Sequence, residues 1–183
     1  NQAGMEAIGK HFPGHGGIFA DSHYTFSQAI RSISELESHD LLPFDALKLK
    51  LGGIMTAHIS FTNIDKEIAT FSKFWLQDIL RNKMGFTGII FSDDLSMKGS
   101  DYVGGIEAKV GKALESGCNM VLICNDRPAA IEAINFLEKK KISQSQKVSR
   151  LKASEEISWA DLKNDARRID IIDKLNIIEK LKL

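Results

Sequence analysis

The sequence predicts a parallel α/β fold, and three observations predict it. Four short apolar, β-branched runs recur along the chain, helical periodicity fills the gaps between them, and each run ends in polar residues. Runs that are apolar throughout, rather than alternating, belong to strands covered on both faces, the pattern of a parallel sheet. In such folds the chemistry sits at the carboxyl ends of the strands, on the loops that lead into the helices. Four strand ends carrying polar groups fit either a barrel mouth or the crevice of an open sheet. A complete (β/α)₈ barrel takes about 250 residues, so four units in 183 amount to half of one.

The first run is Ala7-Ile8-Gly9-Lys10-His11-Phe12, and it ends at Pro13-Gly14-His15-Gly16. Pro13 fixes its own φ and pushes Phe12 out of the helical region, while Gly14 and Gly16 permit backbone angles closed to other residues. A rigid turn after a strand, dense in Lys10, His11, His15, Asp21 and His23, is the kind of loop on which active sites are built. The polar stretch Tyr24 to Lys50 is expected to hold a mobile catalytic loop and then a helix around Leu41-Leu42-Pro43-Phe44. The second strand is Gly53-Ile54-Met55-Thr56-Ala57-His58. A helix follows, with Phe71, Phe74, Trp75, Ile79 and Leu80 on its apolar face and Gly85 as its terminating glycine. The third strand, Thr87 to Asp93, leads to a helix carrying Val110, Ala113 and Leu114 before Gly117. The fourth, Asn119 to Asn125, leads to a helix over Ala129 to Leu137 entered through Pro128. Residues 1–142 thus read as the barrel portion. Residues 143–183 read as a helical extension packing on it, with Ile171, Ile172, Leu175, Ile178 and Leu181 as an apolar stripe for core or partner contact.

Composition narrows the function. With 24 Lys+Arg against 24 Asp+Glu the formal charge is zero, so charge points to no nucleic-acid partner. No apolar run approaches the roughly 20 residues needed to cross a bilayer, so no membrane partner is expected. Cys118 and Cys124 are expected to be buried, reduced thiols. No Gly-x-Gly-x-x-Gly or Walker sequence follows any strand, which weakens a nucleotide-binding reading, and Ser92 and Ser96 lack the turn of a nucleophile elbow.

Several residues are candidates for chemistry. Asp21 and His23 stand two apart, so on an extended segment the carboxylate orients the imidazole and stabilises its charged form, as in a proton shuttle; a solvated pair is the plain alternative. Asp93 and Asp94 end an apolar strand, where a carboxylate is costly without a partner or a task. Successive side chains alternate, so one of them faces the mouth and the other is free to cap. His11-x-x-x-His15 with Asp21 and His23 suggests zinc ligands, but Pro13-Gly14 removes the helix that would give the spacing meaning, and no metal is expected. His58 reads as a satisfied core or loop-anchoring histidine, and His39 as solvated.

Lys10-His11-Phe12-Pro13-Gly14-His15-Gly16 with Asp21-Ser22-His23, and Phe91-Ser92-Asp93-Asp94-Leu95-Ser96-Met97, resemble signatures of the bacterial β-N-acetylglucosaminidases of glycoside hydrolase family 3. Leu42-Pro43-Phe44, Met55-Thr56-Ala57-His58 and Met84-Gly85-Phe86-Thr87-Gly88 are similar to the family in order and spacing, so the resemblance covers residues 4 to 130. It implies a (β/α)₈ barrel of which this chain holds about four units, the carboxyl-terminal half, without the first strands whose aspartate and arginines clamp the sugar. It further implies Asp93 as the nucleophile of a retaining mechanism, His23 as general acid/base assisted by Asp21, and Lys10 and His11 on the sugar hydroxyls. The implied enzyme is cytoplasmic, needs no cofactor, and acts on an N-acetylglucosaminyl-anhydromuropeptide in cell-wall recycling. The alternative is an inactive, sugar-binding or assembly fragment of such an enzyme. Half a barrel exposes sheet edges and an apolar inner face, so self-association through that surface is expected.

Overall fold

The computed structural model describes residues 4–15, 27–143, 146–153 and 157–180. Two compact units are present, one running from Glu6 to Lys152 and a second holding the last two helices.

The first unit is built on a four-stranded sheet. Its strands are β1 (Ile8–Phe12), β3 (Gly53–Thr56), β5 (Ile89–Asp94) and β6 (Met120–Leu122), in that spatial order. Every pairing is parallel, with Ile8 opposite Gly53, Met55 opposite Phe91, and Phe91 opposite Met120. These are the four apolar runs read from the sequence. Two further strands, β2 (Ser27–Ala29) and β4 (Ile59–Phe61), form a separate parallel pair that the sequence did not suggest.

Helices fill the crossovers. Between β2 and β3 lie α1 (Ile33–Ser38) and α2 (Leu42–Leu47), a strand and two short helices where a loop and one helix were expected. Ser32 caps α1, accepting from the Glu35 amide while the Glu35 carboxylate accepts from the Ser32 amide, and Pro43 occupies the first turn of α2. Before β5 the segment Phe74–Lys83 is wound as a π-helix that buries Trp75, Leu76, Ile79 and Leu80. α3 (Ile106–Ser116) and α4 (Arg127–Lys139) follow β5 and β6, and Asp126 caps α4 by accepting from the Ala129 amide.

Gly117 ends α3 with φ of +125°, and a Cβ there would sit 1.9 Å from the Gln77 side chain. Only glycine suits both the angle and the space.

The core lies between the sheet and these helices. Ile54 and Ile90 pack there with Phe12, Phe44, Trp75 and Leu80. Phe12 meets Phe44 and Trp75 edge to face, at 5.4 and 6.2 Å between ring centroids. Emptying a site such as Trp75 costs about 3–5 kcal/mol, so this cluster holds the strands in register. On the opposite face Gly53, Phe91 and Ile8 come together, because a Cβ on Gly53 would meet both side chains.

The amino-terminal ends of the strands are fastened by Arg81. Its guanidinium donates to the Phe86 and Gly88 carbonyls, each at 2.7 Å, and to Asn119 Oδ1 at 2.8 Å. The same oxygen accepts from the Ile90 amide at 2.9 Å. This ties the π-helix to β5 and to the start of β6, at the end away from the polar rim.

The second unit contains α5 (Trp159–Asn164), capped by Ser158, and α6 (Ala166–Lys180). Ile171, Leu175 and Ile178 of the expected stripe are each more than half exposed. Leu181 lies outside the described residues. Among the described residues no helix is long and apolar enough to cross a membrane.

Candidate active site

The carboxyl ends of β1, β3 and β5 bring His11, His58 and Asp93 to one rim, as the strand order requires. β1 closes on Phe12 and turns at Pro13. Gly14 has φ of +148°, and the Asp40 side chain fills the place of its missing Cβ. Asp40 is paired with Arg31, so the turn leaving β1 rests on a charged anchor.

Of the two strand-end carboxylates, Asp94 is the one that caps. Asp94 Oδ1 accepts from the Ser96 amide at 2.9 Å, the Ser96 hydroxyl at 2.7 Å and the Cys124 amide at 3.0 Å. It therefore caps the loop after β5 and ties that loop to the end of β6. No helix starts there; the next helical turn begins at Lys98. Burial pushes the Asp94 carboxyl up, but the bonds from Ser96 and Cys124 prevail and hold it below the usual carboxylate range. Asp93 accepts from the Asp94 amide through Oδ1 at 2.9 Å, and its Oδ2 stands 3.9 Å from His11 Nε2. The Asp93 side chain is 15% exposed, so one of its oxygens is fixed while the group stays reachable.

His11 is partly exposed, and its ring lies edge-on to that of His15 with centroids 6.0 Å apart. Lys10 is exposed on the same strand. Asp21 and His23 lie outside the described residues.

His58 is fully buried, as the sequence suggested, but it is not satisfied: neither ring nitrogen has a hydrogen-bond partner among the described residues. Burial pulls its pKa down to about 4, against the opposing pull of Asp93. No sequence signal separates an orphaned buried histidine from a satisfied one. His39 is exposed, as expected, beside Ser38 Oγ at 2.8 Å.

The cysteines divide. Cys118 is buried, but Cys124 is exposed, contrary to the expectation for both, because β6 stops at Leu122 and leaves the next residues on the rim. Missed altogether was the part played by Cys124, whose backbone amide completes the Asp94 cap. A cavity of about 280 Å³ lies at the opposite end of the strands, between Glu6, Lys50, Gly52, Gly88 and Arg150, and includes none of the candidate residues.

The model of the glycosyl hydrolase family 3 N terminal domain matches residues 1–154. A beta-hexosaminidase of Idiomarina loihiensis is 44% identical over 169 residues, covering 91% of this chain and 51% of the relative. One from Pseudomonas aeruginosa is 39% identical over 179 residues, covering 93% and 54%. Among solved structures, NagZ from Neisseria gonorrhoeae in complex with N-trifluoroacetyl-D-glucosamine superposes with a TM-score of 0.71 at 36% identity, covering 84% of this chain and 44% of that one. A family 3 beta-N-acetylglucosaminidase from Paenibacillus sp. superposes with a TM-score of 0.75 at 25% identity, covering 94% and 37%. The chain spans about half the length of the curated relatives it matches.

Proposed function

The chain belongs to glycosyl hydrolase family 3 and carries part of that family's TIM-barrel-like α/β domain; on that premise we propose that it supplies the nucleophile side of a retaining β-N-acetylglucosaminidase. The family model matched is that of the N terminal domain, so the chain holds part of that domain rather than the carboxyl-terminal half of the whole protein.

The observation that carries the reading is Asp93. It is the carboxylate of the Asp-Asp pair left uncommitted by capping, held through Oδ1 by the Asp94 amide, with Oδ2 3.9 Å from His11. A nucleophile needs this combination of fixed orientation and access. In the proposed reaction Asp93 attacks the anomeric carbon as the bond to the leaving oxygen breaks, and His23 gives that oxygen its proton. His23 then takes a proton from water, which cleaves the glycosyl ester and restores the carboxylate. Retaining glycosidases ordinarily use two carboxyl groups about 5–5.5 Å apart. A histidine in the second role suits a pH near 7, since its ordinary pKa is about 6.5, and Asp21 supports its charged form. Lys10 and His11 hold sugar hydroxyls. The substrate proposed is an N-acetylglucosaminyl-anhydromuropeptide of cell-wall recycling, hydrolysed in the cytoplasm without a cofactor.

Incubation with a fluorinated N-acetylglucosaminide followed by peptide mass spectrometry should find the adduct on Asp93, and Asp93→Ala should abolish turnover of an aryl N-acetylglucosaminide. Full activity in Asp93→Ala ends the proposal.

A second reading is favoured by the sheet itself, which ends at β1 and β6 with no strand beyond either among the described residues. It is a sugar-binding or assembly piece that associates through its open inner face. Turnover by the 183-residue chain alone removes this reading; binding without turnover supports it.

A further inference from the structure

We infer that His58 is a positioning residue for Asp93, its neutral ring presenting an N–H that holds the carboxylate for attack. The inference rests on the glycosidase reading and adds to it a residue whose ring nitrogens have no other use in the structure.

Placement comes first. His58 lies two residues beyond β3, and counting on from Met55, opposite Phe91, brings it to the level of Asp94, next to Asp93 on the neighbouring strand. Its backbone has little freedom. The Ala57 amide donates to the Phe12 carbonyl at 2.7 Å, and the Ala57 carbonyl accepts from Thr70 Oγ1 at 3.2 Å, which is itself 2.7 Å from Thr56 Oγ1. The ring stacks on Phe71 with an interplanar angle of 30°. An imidazole stacked on Phe71 and fully buried should have its nitrogens satisfied, yet among the described residues neither finds a partner. Natural cores rarely leave such groups orphaned, and those that remain call for a reason, catalytic use among them.

Charge names the partner. The charged groups acting on the ring are Asp93 foremost, then Lys109 of α3, Asp94 and His11. Lys109 is already held by the Leu95 carbonyl and Asp101, and Asp94 by its cap. Asp93, whose Oδ2 carries no capping bond and stands 3.9 Å from His11 Nε2, is the carboxylate left to take a bond from the ring. A ring kept neutral by burial carries one N–H, and a nearby carboxylate selects which nitrogen bears it.

The test uses ¹⁵N-histidine NMR on the chain as it is, with His58 assigned by the signal lost in His58→Phe. A single tautomer in the wild type and a tautomer mixture in Asp93→Ala are expected; the same tautomer population in both overturns the inference. Kinetics provide the second arm. His58→Phe keeps the ring stack and should lower kcat about 100-fold with KM changed less than about threefold, while His58→Gln, which restores an N–H, should recover at least about tenfold. A Phe variant as active as the Gln variant overturns it, since shape would then be what matters. A wild type without turnover removes the glycosidase reading alone, and the tautomer measurement still decides the role of His58.

Discussion

Replacing Asp94 by Ala tests the structure where one oxygen does most. Oδ1 accepts three bonds, from the Ser96 amide, the Ser96 hydroxyl and the Cys124 amide, spanning the loop after β5 and the end of β6. A hydrogen bond to a charged group contributes about 1.5–3 kcal/mol net, and exposure of Ser96 and Cys124 places these at the low end. The Ser96 hydroxyl has a second acceptor in the Cys124 carbonyl at 3.3 Å, so its loss counts for little. Two amide bonds then give a destabilisation of about 2–3 kcal/mol for Asp94→Ala. Asp94→Asn keeps an acceptor oxygen in place and should cost about 1 kcal/mol or less. With a urea slope of about 2 kcal/mol/M, the Ala variant should unfold about 1 M earlier, followed through Trp75 fluorescence in a Trp159→Phe background. The pH dependence has a definite sign. The folded carboxyl lies below its ordinary range, so its stabilisation is complete above the unfolded value of about 3.9 and is lost as pH falls through the folded value. The gap between wild type and Asp94→Ala should therefore close below about pH 4. Equal midpoints for the Ala and Asn variants at pH 7 would refute the account of the cap.

Two other outcomes are expected. Arg81→Met leaves the Phe86 and Gly88 carbonyls and half the demand on Asn119 unanswered, so it should lose about 2–4 kcal/mol in the same unfolding assay, and Arg81→Lys, lacking the fork, should recover only part. Under native conditions iodoacetamide should label Cys124 and spare Cys118, whose thiol burial pushes up to about 12, with Arg81 opposing; mass spectrometry showing equal labelling would contradict the burial of Cys118.

The parts of the fold legible in the sequence were those written in long patterns. Continuous apolar runs marked β1, β3, β5 and β6, and Gly85 and Gly117 marked helix ends through the backbone angles they alone accept readily. The β2–β4 pair was not legible. Ser27-Gln28-Ala29 and Ile59-Ser60-Phe61 are too short for periodicity to separate strand from loop, and their pairing joins residues 32 positions apart. The π-winding of Phe74–Lys83 was hidden for a related reason, since its apolar residues also satisfy an ordinary helical period. At the site, alternation along β5 divided the tasks of Asp93 and Asp94, whereas the partners of Asp94 come from another strand and follow from sheet order alone. The exposure of Cys124 and the orphaned ring of His58 depend on where β6 stops and on what surrounds a loop, and neither is encoded in local spacing.

The Arg81–Asn119 fastening sits at one end of the strands and the Asp93 rim at the other, about a strand's length of core between them. Substitutions in the rim loops that spare Asp94 and its Ser96 and Cys124 partners thus fall away from the Arg81 fastening. Outside that cap, a lineage carrying this scaffold has room to reshape what lies above Asp93 before it risks the fold. A directed-evolution library confined to the loops after β1, β3 and β5 should retain folded members at a higher rate than one of equal size aimed at the turns around Arg81.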